Sequence, residues 1–233
     1  MAFMRILLAL FAALLATLPP GAAAAPFAVR LGIEKLVLDA PPGFTDTTEL
    51  ASPRLQDLGA SLVSASSRIL LFALTDADLR RFQNGDPLDV KQRYLLAATP
   101  RALERERVTA EHFAGMIAIS QRELGMPPQE DLLKYLAKQP EGKSSLLAEL
   151  KRDATVYSVL QGSKLISPPA GFLGGIFGTE KPPQYVLSTT TLLLVRGKAL
   201  QLIAFTSFDT AEDMAWLRSI TERWISELLR LNR

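Results

Sequence analysis

Between Tyr185 and Phe208 the chain is apolar at both alternating sets of positions. Leu192, Leu194, Ile203 and Phe205 form one set, and Leu193, Val195, Leu200 and Leu202 form the other. Arg196-Gly197-Lys198 separates the two runs by the spacing of a two-residue hairpin loop. Side chains alternate across a strand, so this ribbon is oily on both faces and neither face suits water. The pattern predicts a central hairpin with cover on each side, which makes three layers.

A helix follows directly. Asp209-Thr210-Ala211-Glu212 has the form of a capping box, and Met214, Leu217, Ile220, Trp224, Leu228 and Leu231 then recur at three- or four-residue intervals. Trp216 and Trp224 read as core and boundary packing. Upstream, residues 29–38 carry first-strand signals, broken by Pro41-Pro42-Gly43. Ser52-Pro53 starts a short helix to about Leu62, and residues 68–75 are a continuous apolar run of buried-strand length. Asp76 is placed as the cap of a short helix through Phe82, and residues 90–98 return as a strand. The middle third reads as three helices. One is capped by Thr109 and buries a face of Phe113, Met116, Ile117, Ser120 and Leu124; a second spans residues 129–137, and a third spans residues 144–152 with Leu146, Leu147 and Leu150 inward. These are the expected second cover for the sheet. Residues 156–166 form another strand.

The first 25 residues change the picture from fold to location. A short leader with Arg5 precedes an apolar run of 13 residues at 6–18, then Pro19-Pro20-Gly21 and four alanines. This is the layout of a secretory signal with small-residue cleavage sites near Ala24 or Ala25. The run is short against the roughly 20 residues of a spanning helix, so export with cleavage is expected, and retention as an inner-membrane anchor is the alternative. Residues 26–233 are read as a single domain, since neither repeat nor low-complexity linker interrupts them. Removing Arg5 leaves 25 basic against 24 acidic residues with no basic stripe interleaved with aromatics, so nucleic acid is not an expected partner. With no cysteine in the chain, disulfides, thiolate metal sites and a lipid-modified N-terminal cysteine are excluded.

Catalytic frames are missing. His112, the one histidine, sits beside Glu111 in a helix start, and neither Gly-x-Ser-x-Gly nor Ser-x-x-Lys occurs. Asp76 and Asp78 invite a carboxylate-pair reading, but capping and a favourable helix dipole account for them. Gly142-Lys143-Ser144 resembles the tail of a phosphate loop, yet Ala137 stands where the leading glycine belongs, so it reads as a helix start. No catalytic residue, metal site or cofactor is expected. The loop at residues 171–178 is unusual in placing Phe172, Leu173, Ile176 and Phe177 among four glycines, between Pro168-Pro169 and Pro182-Pro183. Either these side chains close over the core or they meet a partner or a membrane surface, and contact is the expectation carried forward.

The order of elements resembles the PsbP family, whose relatives include a nuclear-transport Ran-release factor and bacterial envelope proteins. The resemblance lies in Asp39-Ala40-Pro41-Pro42-Gly43-Phe44 at the end of the first strand and in Phe205-Thr206-Ser207-Phe208 before the long C-terminal helix. It covers most of the chain after residue 25 in outline. It implies an α+β fold, a three-layer α/β/α sandwich with a central, mainly antiparallel sheet, and accessory or binding roles without a shared active site. The function expected is that of a non-enzymatic periplasmic accessory or binding protein in contact with an envelope protein or membrane surface. The alternative is a periplasmic hydrolase or ligand-processing enzyme using His112, Asp76 or Asp78.

Overall fold

A two-residue turn sets the centre of the molecule. Arg196 and Gly197 both adopt positive φ (51° and 74°), the left-handed pair that matches the twist of flanking strands, and Val195 pairs with Lys198 across them. In the computed structural model, which describes residues 25–86, 93–128, 131–165 and 184–233, this turn joins two eleven-residue strands, β8 (Tyr185–Val195) and β9 (Lys198–Phe208). They lie inside a seven-stranded, wholly antiparallel sheet of order β3-β4-β5-β9-β8-β7-β6. The other strands are β3 (Phe44–Asp46), β4 (Ser67–Thr75), β5 (Tyr94–Pro100), β6 (Ser145–Arg152) and β7 (Val156–Lys164). β1 (Phe27–Leu31) and β2 (Glu34–Leu38) form a separate hairpin. Residues 29–38 are therefore two short strands, not one, because Gly32 at φ +60° turns the chain where a continuous strand was expected.

One face of the sheet is sealed. Leu187, Leu193, Leu200, Leu202 and Ala204 are buried beneath α5 (Ala211–Leu231), which contributes Leu217, Ile220, Trp224, Ile225 and Leu228. Burying those five helix side chains is worth on the order of 10 kcal/mol relative to exposing them. The capping box is one residue later than the spacing suggests: Thr210 is the cap, and Asp213 accepts from the N–H groups of Asp209 and Thr210 at 3.1 and 3.0 Å. Two threonines inside this layer are satisfied by each other, Thr189 and Thr221 sharing a 2.6 Å hydrogen bond. The hairpin β1–β2 and α4 (Leu132–Lys138) complete this layer through Leu31, Leu36, Leu38 and Leu136.

The opposite face is covered in two patches. α1 (Pro53–Ser61) and α2 (Asp76–Gln83) pack Leu55, Leu79 and Phe82 on Phe72, Leu74 and Leu96. α3 (Ala110–Leu124) packs Phe113 and Ile117 on Leu146, Tyr157 and Val159. The molecule is thus an α+β three-layer sandwich, as the hairpin's two oily faces require.

Two expectations for the middle third fail. Residues 145–152 are the edge strand β6, not a helix, and residues 142–144 lead into that strand. Its sequence favours helix, but pairing with β7 wins, and the alternation of a strand sends Leu146 into one core and Leu147 into the other. Two register shifts interrupt the otherwise open sheet edge. Nor do the middle helices share one cover, since α3 lies on one face and α4 on the other. At the start of α2 the cap is Thr75, whose hydroxyl accepts from the Asp78 N–H at 3.1 Å; Asp76 is the first helical residue.

Candidate sheet-face binding strip

Between the two helical patches the sheet is only half covered. On β8 the residues facing this side are Ser188, Thr190, Leu192 and Leu194; on β9 they are Gln201, Ile203, Phe205 and Ser207. All eight are half-buried, whereas their neighbours on the sealed face are 4% exposed or less. The cause is geometric. Neighbouring strands sit about 4.8 Å apart, so seven strands present a face nearly 30 Å wide; α1 and α2 both settle on its β4–β5 side and α3 on its β6–β7 side, which leaves the strands between them half covered. The register puts the strip's floor in rows: Gln161 beside Ser188 beside Phe205 beside Tyr94, then Thr190 beside Ile203, flanked by Val159 and Leu96 beneath the helices.

One side of the strip is aromatic. Tyr94 stacks on Phe205 with ring centroids 4.5 Å apart and 10° between planes, and meets Phe72 edge-on at 6.2 Å. Burial pushes the Tyr94 phenol well above its ordinary range, so it stays a neutral hydrogen-bonding group. The other side is hydroxyl and amide: the Thr190 hydroxyl donates to Gln161 Oε1 at 2.8 Å. Among the described residues that face the strip on β8 and β9, none carries a carboxylate, ammonium or imidazole. Such a surface can hold an uncharged segment whose side chains alternate between apolar and polar.

The residues singled out from sequence lie elsewhere. Asp76 Oδ1 accepts from the Thr45 hydroxyl at 2.7 Å, and Asp78 Oδ2 from the Thr75 hydroxyl at 2.7 Å, both where β4 ends beside Tyr94. His112 is exposed in the first turn of α3, just after Val108, whose N–H donates to Gly197 O at the other end of the sheet. The nine residues of β4 set that separation at roughly 25 Å, so the carboxylates and the imidazole are not brought together. Among the described residues no group of three or more His, Asp or Glu side chains could hold a metal, and no helix is long and apolar enough to cross a membrane. Phe172, Leu173, Ile176 and Phe177 lie outside the described residues, as does the leader.

Sequence reading missed the strip because half coverage is a property of helix placement. Polar positions gave no signal, because Ser188, Thr190, Gln201 and Ser207 interrupt one face of the hairpin while Thr189, Thr191, Lys198 and Thr206 interrupt the sealed face equally.

No family model matches the chain, and no curated protein matches it. Two solved structures are similar to it: a point mutant of the protein Mog1, and the Saccharomyces cerevisiae Ran-binding protein Mog1p at 1.9 Å resolution. Each is 12% identical with a TM-score of 0.32; the matches cover 89% and 90% of this chain and 93% of each of the others. Likeness at that level carries neither role nor partner across.

Proposed function

We propose that the chain is a non-enzymatic binding protein of the periplasm, exported by its first 25 residues as one domain and acting by contact with another envelope protein. The observation that carries the binding role is the half-covered strip along β8 and β9. A sheet face lined by Phe205, Ile203 and Tyr94 on one side and Thr190, Ser188 and Gln161 on the other suits an uncharged polypeptide segment lying along it. The location rests on the leader's apolar run and small-residue cleavage sites.

Photo-crosslinking tests both parts. A crosslinker at Ile203 or Ser188, in cells expressing the full chain, is expected to trap the same discrete partner, and one at exposed Arg218 on α5 is not. Thr190→Lys, which sets a charge in the strip and gives up the hydrogen bond to Gln161, should abolish the adduct at a cost of about 1 kcal/mol in stability. Adducts that ignore Thr190→Lys, or equal capture from Arg218, would refute the strip as the binding surface. Fractionation and N-terminal sequencing of the same material should find the protein in the periplasm beginning near Ala24 or Ala25.

A further inference from the structure

The end of the sheet carrying the β8–β9 turn gathers three turns that are far apart in sequence. A Cβ on Gly32, in the β1–β2 turn, would lie 3.2 Å from Arg105 Cα and from Glu104 O, so that turn sits directly on the loop before α3. Val108 N–H donates to Gly197 O at 2.8 Å, and the Arg107 side chain lies against Gly197. Arg196 reaches back to β2, with Nε 3.7 Å from Glu34 Oε2. Lys198 locks the assembly: 2% exposed, its ammonium donates to Glu104 O at 3.0 Å and Glu106 O at 2.6 Å.

This end is strongly basic. Residues 30–35, 101–107 and 196–198 hold seven basic side chains against three acidic ones, an excess larger than the formal +2 of the whole chain. Two of the three acids are already engaged, Glu34 by Arg196 and Glu104 by Arg68 at 3.1 Å. Arg30, Lys35, Arg101, Arg105 and Arg107 are exposed. At the tip of the β1–β2 turn among them stands Ile33, 94% exposed.

We propose that this end docks on an anionic phospholipid surface, Ile33 entering the interface while the surrounding arginines and Lys35 meet headgroup phosphates. A bare isoleucine on a turn held rigidly among cations fits a membrane interface, which offers apolar and anionic environments within a few ångströms of each other. A nucleic acid or acidic peptide would use the charges but leave Ile33 in water. The proposal stands on other residues than the sheet-face strip, so failure of the crosslinking test leaves it untouched, and the reverse holds too.

Vesicle co-sedimentation of the protein purified from its own cells decides it, comparing phosphatidylglycerol-containing with pure phosphatidylcholine vesicles. Binding is expected to the first alone and to weaken as salt is raised. Arg105→Gln and Arg107→Gln should each weaken it about fivefold, the effect of one basic group near an anionic surface, and Ile33→Ser should weaken it by a similar or larger factor. All three positions are exposed, and unchanged thermal melts will confirm folding. No binding to the anionic vesicles, or binding indifferent to these substitutions, overturns the proposal. So does loss with the arginine variants but not with Ile33→Ser, accompanied by equal binding to heparin, which would mark a general polyanion site.

Discussion

Asn232→Ala is a sharp test of how the N-terminal hairpin is attached. The Asn232 side chain, 7% exposed, completes the backbone bonding of Val37: its Oδ1 accepts from Val37 N–H and its Nδ2 donates to Val37 O, both at 2.8 Å. The same Nδ2 donates to Leu228 O at 2.8 Å, closing the last turn of α5. One amide thus stands in for a neighbouring strand beside β2 and for a helix C-terminal cap. Truncation removes three hydrogen bonds at about 1 kcal/mol each, and Val37, being half-buried, regains only part of its solvation, so a loss of about 3 kcal/mol is expected. In a domain of this size that lowers the melting temperature by about 6–12 °C. Calorimetry measures the shift, and hydrogen exchange should show the Val37 amide losing protection well beyond its neighbours. A melting point within about 2 °C of the parent, with Val37 protection unchanged, would refute the reasoning. The hairpin carries Ile33, so the same variant is expected to weaken vesicle binding without touching the interface itself.

Two further outcomes follow from packing and charge. Gly162→Ala puts a methyl group 2.8 Å from Leu147 Cδ1 and 3.1 Å from Leu136 Cδ2, so overpacking of about 1–3 kcal/mol is expected in chemical denaturation; a neutral result would mean that α4 gives way freely. Burial pushes the Asp213 carboxyl up, but the N–H groups of Asp209 and Thr210 and the Arg93 guanidinium outweigh it and hold the group below its ordinary value. Its stabilisation is therefore present above the unfolded-state carboxyl pKa and is lost as pH falls through the depressed one. Asp213→Ala should cost about 1 kcal/mol at neutral pH and progressively less on acidification; a cost that stays constant in pH-dependent melts would contradict this account.

The layered architecture was legible because it follows from local pattern. Alternation along 192–205 set both faces of the hairpin, and the three- and four-residue repeat from Leu217 to Leu228 set the buried stripe of α5. Where local preference and tertiary pairing compete, pattern misleads: Ser145–Arg152 holds good helix formers, yet the hydrogen bonds offered by β7 and a core on each face make it a strand. The proposed surfaces were beyond sequence reading for a different reason. The strip exists because α1 and α2 settle at one side of a sheet face and α3 at the other, and the basic end exists because Gly32, Arg107 and Arg196 meet only after the sheet is built. Sequence by itself therefore determined the elements whose faces are periodic and the need to bury them, since those depend on neighbours within a few residues. Which surface stays half open, and which charges stand together, was decided by contacts between residues from about twenty to more than a hundred and fifty positions apart, where no local preference reaches.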